Sequence, residues 1–103
     1  MSKAVVLMND VEDIQERFRV KLKVFEVEIS KKYPGGIKAK FALFDMIDRT
    51  QKLILLVDNH EPFGFHVHGE LPKNSRLLLN TINYREALKE FWCLTWEIIN
   101  AKN

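Results

Sequence analysis

The sequence predicts an α+β fold, a bent antiparallel sheet of four or five strands with a C-terminal helix packed on one face. Three observations lead there. Between Phe18 and Val67 apolar residues recur at alternate positions in successive short segments, the period of strands with one face buried. Short stretches of turn residues join those segments, too short for the crossovers that parallel strands need. From Tyr84 to Asn100 the period changes to that of an amphipathic helix. The 103 residues are expected to form a single domain, 1–103, large enough to bury a core without disulfide or metal staples.

Composition narrows the class further. Charged residues make up 29% of the chain and apolar residues 47%, which excludes an intrinsically disordered protein. Sixteen basic against 14 acidic side chains leave a net charge of +2, too small to mark a nucleic-acid binder by itself. The single cysteine, Cys93, cannot form an internal disulfide and points to a reducing, cytoplasmic location. It falls in the polar arc of the helix, beside Lys89, Glu90 and Glu97 and without a histidine partner, which argues against a nucleophile. The apolar run Ala4-Val5-Val6-Leu7-Met8 is too short for a signal-peptide core. No stretch approaches the about 20 apolar residues of a membrane span, so no membrane partner is expected.

Taken in order, the N-terminal segment is the least determined. Residues 4–8 fit a strand or the first turn of a helix. Asn9 or Asp10 as a cap, followed by Val11, Ile14 and Phe18 at i, i+3 and i+7, favours a short helix over 10–17. No glycine marks the way into the next element. From Phe18 the period is two, with Phe18, Val20, Leu22 and Val24 facing one way and Arg17, Arg19, Lys21 and Lys23 the other. The apolar set then slips by one to Phe25, Val27 and Ile29, which predicts one long strand over 18–30 with a bulge or bend inside it.

Tyr33-Pro34-Gly35-Gly36 is a turn by composition. Residues 37–47 alternate again, with Ile37, Ala39, Phe41 and Leu43 opposite Lys38 and Lys40. After the polar turn at 48–51, Leu53 to Val57 is apolar at every position, which predicts a strand covered on both faces. Phe63, Phe65 and Val67 alternate with Gly64, His66 and His68, giving a short fourth strand. A loop over 69–75 and a further edge strand over 77–82 follow. Asn83 caps the final helix, 84–100, and Glu86 completes a capping-box arrangement with Asn in place of Ser or Thr. Its apolar arc is wider than one sheet face needs, which leaves Trp92 and Trp96 as candidates for partner contact.

Candidate functional residues concentrate between Asp58 and Gly69, a stretch that holds all three histidines of the chain. On a strand His66 and His68 share a face, as paired acid and base or paired metal ligands do. His60, with Asp58 or Glu70, would be needed to complete a metal set. Solvated histidines without chemistry are the plain alternative, and His-x-His is a weak signature alone. Asp58-Asn59 reads either as a pair of site groups or as a turn that ends its strand. Arg17, Arg19, Lys21 and Lys23, continued by Lys38 and Lys40 on the paired strand, read either as a phosphate-binding surface or as a solvated face that protects the sheet from aggregation.

Two family resemblances bear on these residues. The alternating histidines of Gly64-Phe65-His66-Val67-His68-Gly69-Glu70 superficially resemble the histidine-triad nucleotide hydrolases, but Glu70 stands at the third histidine position and Gly69 replaces an apolar residue. That family does not fit. A second pattern is broader, running from Phe25-Glu26-Val27 and Tyr33-Pro34-Gly35-Gly36-Ile37-Lys38 through Phe41-Ala42-Leu43-Phe44-Asp45 to Leu55-Leu56-Val57-Asp58-Asn59-His60. It continues with Gly64-Phe65-His66-Val67-His68 and ends in Tyr84-Arg85-Glu86-Ala87-Leu88-Lys89-Glu90-Phe91-Trp92. This order is similar to the TumE-like family of prokaryotic toxin–antitoxin toxin components, over about residues 18–96.

Its specific part is Asp58-Asn59 followed by His66 and His68. The chain departs from the family pattern around the histidine pair, where Phe65, Val67 and Glu70 stand in place of further basic residues. The resemblance implies a toxin with a cognate antitoxin as partner, of a kind that often acts on RNA or translation. It lifts Asp58 and Asn59 from turn residues to site residues. The leading expectation is an RNA-acting toxin, with His66 and His68 as general acid and base or as metal ligands. Asp58 and Asn59 would orient them or bind phosphate indirectly, and the face with Arg19, Lys21, Lys23, Lys38 and Lys40 would bind backbone. No cofactor is called for and no metal is assigned. Two other expectations stand beside it. One is a non-enzymatic interaction module or homodimer meeting its partner through Trp92 and Trp96; the other is a small metal-binding protein.

Overall fold

The computed structural model describes residues 4–31, 33, 35–47, 50–60, 64–69 and 83–102, with His60 and His66 described in backbone alone. Five strands form one antiparallel sheet in the order of the sequence: β1 (Val5–Ile14), β2 (Phe18–Glu26), β3 (Ile37–Asp45), β4 (Lys52–His60) and β5 (Gly64–Gly69). Among the described residues the sheet is open, with β1 and β5 at its two edges. One helix, α1 (Tyr84–Lys102), packs on one face against β3 and β4. The fold class is therefore α+β, as the periodicities required. The edge strand expected over 77–82 lies outside the described residues.

The face toward α1 is the core. Phe18, Val20, Leu22 and Val24 of β2 oppose Asp45, Leu43, Phe41 and Ala39 of β3, and all but Asp45 are buried apolar side chains. Val57 of β4 and Val67 of β5 extend the row that starts at Leu22 and Phe41. Aromatic rings tie the layers together: Phe41 stacks on Phe65 at 6.3 Å between centroids and meets Phe91 of α1 at 5.8 Å. Such pairs add stabilisation beyond the area they bury. Asn83 caps α1, its Oδ1 accepting the Arg85 N–H at 2.9 Å.

Three sequence expectations are corrected. Residues 10–17 are not a helix; they complete β1 and the turn after it. β1 is an edge strand exposed on both faces except at Ile14 and, in part, Met8, so its side chains show no alternation for the eye to find. The spacing of Val11, Ile14 and Phe18 spans two strands. Gln15 and Glu16 both have positive φ, 55° and 56°, and the Arg17 N–H bonds the Ile14 carbonyl at 3.2 Å. These three residues, Gln15 to Arg17, connect the strands through a tight turn whose two left-handed positions favour Asn-Gly, formed without either residue.

The long bent strand over 18–30 ends instead at Glu26, and β2 keeps an unbroken register with β3. The apolar slip at Phe25 does mark a bulge, but the extra residue sits on the neighbour: Val6 pairs with Phe25 and Met8 with Val24, leaving Leu7 over. After Glu26 the chain turns back through Gly36, whose φ of +73° favours glycine, with its carbonyl accepting the Val27 N–H at 2.8 Å.

β4 is likewise not covered on both faces throughout. Ile54 and Leu55 are fully buried as neighbours because Ile54 is the extra residue of a second bulge, between the pairs Leu43–Leu55 and Phe44–Leu53. Leu53 is exposed and Leu56 half-buried.

Candidate functional site: the open sheet face

Alternate residues of all five strands form the face turned away from α1, and no described element covers it. Strand register arranges these residues in transverse rows. One row runs Asn9, Lys23, Lys40, Asp58 and His66; the next runs Val11, Lys21, Ala42, Leu56 and His68. A third begins Asp13, Arg19, Phe44, Leu53. Lys38 stands opposite Phe25, one position beyond the first row. The two-residue period that buries Phe18, Val20, Leu22 and Val24 is thus the cause of the basic stripe on the reverse side.

The sequence-derived cations divide into three groups. Arg17 leaves the face altogether: it precedes β2, and its guanidinium grips Asp45 with Nε to Oδ1 at 3.2 Å and Nη2 to Oδ2 at 2.9 Å. Those hydrogen bonds hold the Asp45 carboxyl below its ordinary range, opposed by burial and helped by the Ile47 N–H. Arg19 stays on the face but is neutralised by Asp13, with Nε to Oδ1 at 2.8 Å, a bond that lowers the Asp13 carboxyl and raises the Arg19 guanidinium. Among the described residues Lys23, Lys38 and Lys40 are exposed cations in no ion pair. The Lys21 ammonium lies 5.1 Å above the Phe44 ring.

The acidic and imidazole groups meet at the β4–β5 end of the stripe. His68 Nε2 lies 3.7 Å from Asp58 Oδ1, beyond hydrogen-bond length but within reach of an ion pair when the ring is protonated. His68 is 43% exposed and the Asp58 side chain 31%, while Asp58 Oδ1 itself is shielded from solvent. His66 occupies the register position directly across from Asp58. Phe65 and Val67 are fully buried on the other side, so strand alternation gives positions 66 and 68 the same, open face.

Asn59 has a different place. Next to Asp58 on the strand, it belongs to the opposite face, where its Oδ1 accepts the Ala39 N–H and its Nδ2 donates to the Ile37 carbonyl, both at 2.8 Å. Its amide stands in for a peptide group and continues the β3–β4 ladder one step past the last backbone pair, Lys40–Asp58. The part it plays toward Asp58 is positional.

Trp92 and Trp96 lie on α1, across the sheet from the histidine positions. Trp92 is half-buried against the core, edge-on to Phe91 at 5.8 Å, and Trp96 is 43% exposed. Cys93 is exposed. Among the described residues no three His, Cys, Asp or Glu side chains come together in a metal-binding group. Nor, among them, is any helix long and apolar enough to cross a membrane.

Sequence reading missed two features of this face. One is the Asp13 carboxylate that neutralises Arg19, hidden because β1 read as a helix. The other is the strip that half-buried Phe44 and Leu56 form around the buried Ala42. Comparison of the chain with protein-family models, with curated proteins and with solved structures gives no match. Function is therefore inferred from the residues and their geometry.

Proposed function

We propose that the chain is the toxin component of a toxin–antitoxin pair and acts on RNA, its open sheet face holding the phosphate backbone and its histidine end carrying the chemistry. The observation that carries this reading is the row Lys23, Lys40, Asp58, His66. Lys23 and Lys40 face each other across adjacent strands, an arrangement that costs energy unless an anion lies over it. A phosphate there sits beside the one cluster of acid and imidazole groups on this face among the described residues.

The chemistry that suits these groups is cleavage of a phosphodiester by its own 2′-hydroxyl. One imidazole takes the hydroxyl proton as the 2′-oxygen attacks phosphorus, and the other delivers a proton to the departing 5′-oxygen. Asp58, 3.7 Å from His68, is placed to pair with that ring when it carries the proton, which suits His68 to the donor role. Lys40, beside Asp58 in the same row, would offset the negative charge that builds on the phosphoryl oxygens. Asn59 fixes the strand on which Asp58 stands.

Replacing both histidines, His66→Ala with His68→Ala, is expected to relieve the growth inhibition that expression of the wild-type chain causes. A double variant that is folded and still toxic overturns the reading. A second reading, an interaction module or homodimer, is favoured by one observation, the exposed Trp96 on α1. Sedimentation of the purified chain separates the two, since a monomer that binds RNA argues against the module.

A further inference from the structure

The sheet has a second open feature, at the edge farthest from the histidines. β1 is ten residues long and, among the described residues, pairs on one side only, with β2. Half of its backbone N–H and C=O groups therefore point outward, a template for another strand. Edge strands are ordinarily blunted by lysine, proline or shortness. β1 contains no lysine, arginine or proline, and Val5, Val6, Leu7 and Val11 are each at least 44% exposed.

Charge selects what fits there. The apolar half, Val5 to Met8, is followed by Asp10, Glu12 and Asp13, and of these Asp13 is paired, with Arg19. Asp10 and Glu12 stand on the core-side face of β1, opposite Leu22 and Val20, and are in no ion pair among the described residues. A second copy of the chain is a poor occupant. Antiparallel pairing of two β1 strands along their length sets the acidic half of each against the apolar half of the other, and overlap of the apolar halves alone covers too little surface for a stable dimer.

We propose that the β1 edge is a docking site for an extended segment of a partner protein that adds to the sheet as a sixth, antiparallel strand. Antiparallel addition matches every other pairing in the sheet. It also fixes the order of residues in the partner: alternating Lys or Arg first, against Glu12 and Asp10, then Val or Ile against Met8 to Val5. The site does not depend on the toxin reading, because it uses neither the basic stripe nor the histidines.

The test uses the full chain and a synthetic nine-residue peptide, Thr-Lys-Thr-Lys-Thr followed by four Val, labelled for fluorescence anisotropy. The peptide is expected to bind and to slow amide hydrogen exchange in residues 5–13. The same peptide with Glu in place of Lys, and one N-methylated at alternate backbone nitrogens, are expected not to bind. The variant Asp10→Lys with Glu12→Lys, two exposed positions, is expected to keep its thermal midpoint and lose about tenfold in affinity. Four results would each overturn the proposal: no binding, equal binding of the N-methylated peptide, protection located away from β1, or β1 amides already protected in a dimer without peptide.

Discussion

The two faces of this sheet are made of alternate residues of the same strands, yet they treat charge in opposite ways. The core side contains one buried carboxylate among the described residues, Asp45, which is saturated by two bonds from Arg17 and one from the Ile47 N–H. The open side carries Lys23, Lys38 and Lys40 in no ion pair among the described residues, together with Asp58 at 3.7 Å from His68. Groups that exist for stability are closed off by their neighbours, because an unsatisfied buried charge is too costly to keep. Under the proposed function, Lys23, Lys38 and Lys40 are left in reach of a ligand. Asn59 sides with Asp45, both ends of its amide being bound to backbone.

This contrast can be broken most severely from the core side. Phe41 is fully buried and touches rings from β5 and α1, so Phe41→Ala is expected to cost about 4 kcal/mol in urea unfolding. A loss below about 1 kcal/mol would mean that the aromatic stack does not hold the layers together.

Asp45→Asn is the next largest, at about 2 kcal/mol near neutral pH, since the charged partner of Arg17 is removed. The pH dependence has a definite sign. The folded Asp45 carboxyl titrates below its ordinary value of 3.8, so its contribution is complete above that value and is lost as pH falls through the folded pKa. The difference between wild type and variant should accordingly shrink in acid, and a gap that persists there would assign the effect to packing.

A smaller change, of opposite sign, comes from the hairpin. Glu16→Gly is expected to stabilise by about 1 kcal/mol, because a residue with a side chain is held at positive φ there. The smallest effect on stability sharpens the comparison from the open side. Lys23→Gln with Lys40→Gln is expected to change unfolding by no more than about 0.5 kcal/mol. The same variant should weaken binding of single-stranded RNA and flatten its salt dependence by about 0.7 in the log–log slope for each phosphate no longer neutralised. A destabilised variant with unchanged RNA binding would turn the interpretation of this face around.

How much of this was legible in the sequence follows from burial. Where one face is buried, as in β2 and β3, alternation reads directly and the basic stripe follows from it. The helix was legible because Ala87, Phe91, Leu94 and Ile98 recur on its core side, and Asn83 marks its start. β1 was not, because a strand wet on both faces imposes no pattern on its side chains, and its turn uses Gln and Glu where a hairpin normally announces itself with Asn-Gly. The bulges were half legible: the slip at Phe25 was visible, but periodicity does not say which strand holds the extra residue. Asn59 was legible in type but not in its partners. Its chemistry is that of a site residue, and only the ladder geometry reveals that both ends of its amide are taken by backbone.

The strand order β1 through β5 carries a consequence for how the protein comes into being. Each strand pairs with the one made just before it, so the sheet can grow in step with synthesis and needs no strand to wait for a distant partner. The catalytic candidates are split across the β4–β5 pairing: Asp58 arrives on β4, and His66 and His68 arrive on β5. A nascent or truncated chain lacking β5 already has Lys23 and Lys40, proposed to hold phosphate, but not the histidines proposed to act on it. Under the proposed function, timing alone keeps an unfinished molecule harmless.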